Sequence, residues 1–134
     1  MTIGEVISEG KGKRTGRRIV ATEPQFLVEV SFEESTRLLG FDGMNIGTYN
    51  SSNKPDGALY GYGEGVFATM EGEFVTWHAI GVGHFLADGT VSYKGAISFR
   101  TTVPRLARVN GIAGALEFEV TPDGSTRSTI CELK

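Results

Sequence analysis

Three consecutive segments alternate polar and apolar residues with period two, and an antiparallel meander is the arrangement that satisfies all of them. They are Ala58–Met70, Glu73–Ala87 and Thr90–Thr101. Each is rich in Val, Ile, Phe, Tyr, Trp and Thr, which suit a pleated, half-buried surface. Glu71-Gly72 and Asp88-Gly89 stand between them. Asp-Gly signals a two-residue hairpin turn because both turn positions take positive φ; Glu-Gly carries the same signal more weakly.

Two-residue turns set a register. Val66 then faces Trp77 and Gly63 faces Ile80; across the second turn His84 faces Tyr93 and Ile80 faces Ile97. Successive side chains point to opposite sides of a strand, so two faces separate. Leu59, Phe67, Phe74, His78, Ile80, Val82, His84, Tyr93, Ile97 and Phe99 share the more apolar face, which is assigned to the core. Tyr60, Tyr62, Glu64, Trp77, Lys94, Ser98 and Arg100 share the other. Gly61, Gly63, Gly65 and Gly95 fall on the core side, where their missing side chains let a sheet curl and leave room inside. Gly81 and Gly83 fall outside, beneath Tyr62 and Tyr60. A slip of one residue exchanges core and surface; in the inverted register Glu64, Tyr60, Tyr62, Trp77 and Arg100 line the interior instead.

The flanking chain adds further strands. Glu5–Glu9 and Ile19–Ala21 are short candidates, and Gln25–Glu33 places Phe26, Val28, Val30 and Phe32 on one side. Met44–Tyr49 follows Gly40, and Asn50–Gly57 is a turn-rich loop. Pro104–Val109 is the one helical possibility, with Pro at its start and Asn110-Gly111 at its stop. Ala113–Thr121 and Thr126–Leu133 form a last hairpin around the three-residue loop Pro122-Asp123-Gly124, which sets Glu119 against Arg127 and Leu116 against Ile130. Eight or nine strands joined by short turns in a single domain, residues 1–134, imply an antiparallel up-and-down barrel, closed or nearly so, with a β-sandwich as the second choice.

Bulk properties bound the function. The 134 residues suffice for one core, and 19 glycines without a collagen period suit many turns and bent strands. A formal charge of −3 gives no global field for nucleic acid. Lys11–Arg18 holds five of the 13 basic residues, but without aromatic interleaving it reads as a charge-protected strand, not a phosphate site. No apolar run is long enough for a membrane helix, and no secretory leader is evident, so a soluble cytoplasmic protein is expected.

The run Leu59-Tyr60-Gly61-Tyr62-Gly63-Glu64-Gly65, with Gly72-Glu73, Gly81-Val82-Gly83 and Tyr93-Lys94-Gly95-Ala96, resembles a group of small uncharacterised bacterial proteins. Leu106–Gly111 and the ending Cys131-Glu132-Leu133-Lys134 are similar to their C-terminal pattern. In architecture the long glycine-rich strands and the bridge ending in Asn-Gly also resemble the calycin-like barrel of allene oxide cyclases and dirigent proteins. That resemblance implies a closed eight-stranded barrel, often oligomeric, with a central cavity. The catalytic carboxylates of those enzymes match no motif here, so no activity transfers.

His78 and His84 are the obvious chemical candidates. Six residues apart on one strand, they stand about 20 Å apart and cannot share a metal ion; no His/Cys/carboxylate cluster is evident for either, and no metal or cofactor is expected. The leading expectation is a barrel binding a small apolar ligand, with Leu59, Ile80 and Phe99 around it and His78, His84 and Tyr93 fixing its orientation. A cyclase- or isomerase-type enzyme moving protons between His84 and Tyr93 is the alternative, and an oligomeric structural module with a filled barrel the third. Tyr60, Tyr62, Val66 and Trp77 on the outer face suggest a homo-oligomer.

Overall fold

A computed structural model describes all 134 residues. Eight strands follow one another round a closed barrel: β1 (Ile3–Ala21), β2 (Leu27–Leu38), β3 (Phe41–Asn53), β4 (Leu59–Thr69), β5 (Phe74–Phe85), β6 (Val91–Arg100), β7 (Ala113–Val120) and β8 (Ser125–Leu133). Every neighbouring pair is antiparallel, and β8 closes on β1. The architecture is thus the closed barrel, not the sandwich. Its strands are strongly tilted. Pairing followed from Ile19 through Val28, Ser51, Gly61, Gly81, Gly95, Leu116 and Ile130 returns to β1 at Ser8, one long step down the strand.

A 3-10 helix, Pro104–Gly111, crosses one end between β6 and β7. Leu106 and Val109 enter the core there and are fully buried. The Asn110 side chain clamps the crossing: its Oδ1 accepts from the Thr101 N–H at 2.8 Å and its Nδ2 donates to the Thr101 carbonyl at 3.0 Å.

The central meander differs from the expected register in one way. Its loops have three residues, not two. Thr69 N–H donates to Glu73 O across Met70-Glu71-Gly72, and Leu86 N–H donates to Thr90 O across Ala87-Asp88-Gly89, both at 2.8 Å. Each third residue is a glycine at positive φ, 80° at Gly72 and 90° at Gly89, as at Gly124 in the expected three-residue loop. A third loop residue moves each pairing by one. Trp77 now faces Gly65 and Tyr93 faces Gly83. The two slips cancel between β4 and β6, so those strands keep their assigned faces and β5 alone turns over. His78, Ile80, Val82 and His84 therefore point outward, and Val75, Trp77, Gly81 and Gly83 point inward. The hydrophobic β-branched residues of β5 gave no warning, because that strand is apolar on both sides.

β1 and β2 are longer than their sequence candidates. The basic stretch is continuous strand, paired with both neighbours up to Lys13 and with β2 alone beyond it. β2 keeps its inward alternation past Phe32 through Glu34, Thr36 and Leu38. It ends in a two-residue turn at Leu39-Gly40, where both residues have positive φ.

Candidate functional site

The interior has two unlike walls. On β3 to β6, glycines alternate with aromatic residues, and the rings lie on the glycines. A Cβ at Gly65 or Gly47 would stand 2.4 or 2.6 Å from Cζ2 of Trp77, and one at Gly83 would stand 2.6 Å from Cε1 of Tyr93. Any larger residue at these positions would displace a ring. Phe32 and Phe118 complete the stack, their ring centres 4.9 Å apart, and Tyr49 meets Phe118 edge-on at 5.5 Å. Polar tips of this wall are satisfied inside: Trp77 Nε1 donates to Asn45 Oδ1 at 2.7 Å, and Tyr93 Oη shares a 2.7 Å hydrogen bond with Ser51 Oγ. Burial pushes the Tyr49 and Tyr93 phenols upward, so both stay neutral.

The opposite wall, on β8, β1 and β2, carries Ser8, Glu34, Thr36 and Ser128. Glu34 is 0% exposed. Its carboxyl lies over Gly10, where a Cβ would stand 2.6 Å from Oε1. Ser128 Oγ donates to Oε1 at 2.6 Å and Thr126 Oγ1 donates to Oε2 at 2.8 Å. Desolvation is the larger influence and raises its pKa above 4.5; the two hydroxyls oppose that rise. Every ion pair of the molecule lies elsewhere, among at least partly exposed side chains.

Between the walls lies a cavity of about 80 Å³, lined by Phe32, Glu34, Tyr49, Trp77, Tyr93 and Phe118 among others. One water needs roughly 10–15 Å³ of such space, so the cavity has room for several waters or one small molecule.

The sequence candidates divide. Tyr93 and Phe99 line the cavity, and Leu59 is buried in the core beside it. His78, His84 and Ile80 have their side chains outside, because β5 is turned over, although Ile80 still borders the cavity. His78 Nε2 stands 3.0 Å from Glu64 Oε2 in an exposed cross-strand pair. His84 faces Ser92, on the opposite side of the sheet from Tyr93, so no proton passes directly between His84 and Tyr93. Nowhere do three His, Cys, Asp or Glu side chains converge as metal ligands. Glu34 and Tyr49 are interior residues that sequence reasoning missed, Trp77 is inside as only the inverted register had it, and Phe118 lies on the apolar side that its alternation marked. For Glu34 a signal existed: the alternation of Val28, Val30 and Phe32, carried two residues further, places it inside.

No protein-family model matches the chain, and no curated protein matches it. Solved structures do. A conserved protein of unknown function from Rhodopseudomonas palustris superposes with a TM-score of 0.81 over 99% of each chain, at 10% identity. A β-barrel-like protein from Acinetobacter baumannii reaches 0.82 over 99% of this chain and 96% of that one, also at 10% identity. An enzyme from Penicillium herquei is more distant, with a TM-score of 0.66 and 16% identity over 96% and 92% of the two chains. At such identities the likeness is one of fold.

Proposed function

We propose that the barrel binds one small apolar molecule in its interior. The observation that carries this is the 80 Å³ cavity walled by aromatic rings seated on glycines. A filled interior was open to this sequence simply by replacing a half-buried cavity residue such as Ala79 with a larger one. Keeping the space makes sense if something occupies it.

Native mass spectrometry of gently purified protein, followed by calorimetry with toluene, tests the reading. Added mass or saturable one-to-one toluene binding is expected, with binding abolished by Ala79→Phe. Protein that takes up neither is a filled module.

A second reading rests on a different observation. The outer face of β3 to β5 exposes Met44, Ile46, Tyr62, Val66, Phe74 and Ile80, with Phe74 58% and Ile80 51% exposed. Apolar patches on this scale mark contact surfaces, and we take this one as the contact of a homo-oligomer. Sedimentation of the protein and of Ile80→Lys checks it: a larger species lost in the variant supports the contact, and a monomer in both removes it.

A further inference from the structure

We infer that the cavity takes an apolar molecule bearing one hydrogen-bond acceptor, held by the side-chain N–H groups of Asn45. The inference rests on the binding reading above and goes beyond it by naming the ligand class and the residue that anchors it.

Asn45 lies on the cavity wall, at an inward position of β3. Its amide can take only one orientation. The indole nitrogen of Trp77 donates and never accepts, so the 2.7 Å bond between the two fixes the Asn45 oxygen towards Trp77 and the nitrogen away from it. That bond is the one hydrogen bond the Asn45 side chain makes, and its Nδ2 donates to no atom of the protein. The neighbours explain why. On the β4 side Asn45 faces Phe67, which has no side-chain acceptor, and the adjoining inward residues of β3 are Gly43 and Gly47. On the β2 side it faces Glu34, whose carboxyl leans the other way, over Gly10 to Ser128 and Thr126 of β8.

Nor is that nitrogen sealed off. Asn45 is only partly buried, and no side-chain nitrogen or oxygen of the molecule is both buried and without a partner. An unpartnered Nδ2 is therefore one that a small molecule in the cavity can reach. The other polar groups of the wall differ from it in kind. Glu34, Trp77, Tyr93 and Ser128 are engaged with protein partners. Ser8 and Tyr49 add hydroxyls, but a hydroxyl turns to donate or to accept as its neighbour requires. The Asn45 nitrogen only donates. A hydrocarbon, or a molecule with donors alone, leaves it bare among aromatic rings, and a polar group stripped of water without a partner costs free energy. An acceptor oxygen or nitrogen on the occupant removes that cost.

Benzonitrile and phenylacetylene share one shape and differ only at the tip, an acceptor nitrogen in the first and a C–H in the second. Calorimetry is expected to show benzonitrile binding about five- to ten-fold more tightly, the worth of one good hydrogen bond. The nitrile stretch of the bound molecule moves to higher frequency. Asn45→Asp at neutral pH keeps an oxygen for Trp77 and lacks the amide nitrogen; it loses the preference and the shift while still binding phenylacetylene. Tyr49→Phe and Ser8→Ala keep both. Equal affinity for the two probes in the unaltered protein, with an unshifted nitrile band, overturns the inference and leaves the binding reading standing. A preference that survives in Asn45→Asp also overturns it, and its loss in Tyr49→Phe or Ser8→Ala then shows which hydroxyl holds the acceptor. Uptake of toluene with benzonitrile excluded overturns it as well. Failure of toluene and both probes to bind removes both readings. The comparison in the unaltered protein needs no variant to fold.

Discussion

The two walls of the barrel interior are built by opposite means. On β3 to β6, order comes from shape: rings of Trp77 and Tyr93 fill the space that Gly47, Gly65 and Gly83 leave. On β8, β1 and β2 it comes from polarity: Glu34 of β2 reaches over Gly10 of β1 to two hydroxyls on β8, the strand beyond. The first wall buries area and is nearly indifferent to pH. The second adds little apolar area and contains a group whose charge state depends on pH.

The sharpest way to break the first wall is Trp77→Ala. Removing a buried ring that spans two glycine seats is expected to cost about 3–5 kcal/mol, read by chemical denaturation followed by circular dichroism. Gly65→Ala attacks the same contact from the other side. Its Cβ would press on the Ile46 carbonyl and on the Trp77 ring, and overpacking of this kind costs about 1–3 kcal/mol. An unchanged midpoint in Gly65→Ala would show that the ring is not seated there.

The second wall answers to pH. Glu34 has a folded-state pKa above its ordinary 4.5. Between the ordinary and the raised value the folded protein binds the extra proton, so stability falls as pH rises through that window. Below the ordinary value both states are protonated and the contribution is flat. Glu34→Gln removes the group. Its midpoint relative to the unaltered protein is therefore expected to rise with pH above 4.5, by no more than about 1.4 kcal/mol per pH unit. A difference independent of pH would mean that Glu34 ionises as easily folded as unfolded. Smallest of all is the effect outside the barrel: His78→Ala breaks only the exposed pair with Glu64, and a change below about 1 kcal/mol is expected, with toluene binding unaltered.

How far the sequence reveals all this differs by strand. The register of the C-terminal hairpin reads correctly, because Pro-Asp-Gly suits a three-residue loop and Leu116 with Phe118 contrasts clearly with Glu117 and Glu119. The central turns conceal the same geometry, since Met70 and Ala87 look like strand residues and are in fact the first loop positions. One hidden loop residue suffices to turn His78 and His84 out of the barrel and Trp77 into it. The face of β5 was illegible for a physical reason: its outer side carries Ile80 and Val82, part of the exposed apolar face, so burial and hydrophobicity part company there. Glu34 was hidden differently. A glutamate two residues after Phe32 looks like the end of a buried alternation, and only Gly10, Thr126 and Ser128, brought together by barrel closure, make room and partners for it.

The chain has one tryptophan, and it lines the cavity. Fluorine NMR of protein labelled with 5-fluorotryptophan therefore watches the interior through a single resonance. On titration with toluene that resonance is expected to shift and to saturate at one equivalent bound, with no shift in Ala79→Phe. A resonance that stays fixed at every toluene concentration would contradict an interior binding site.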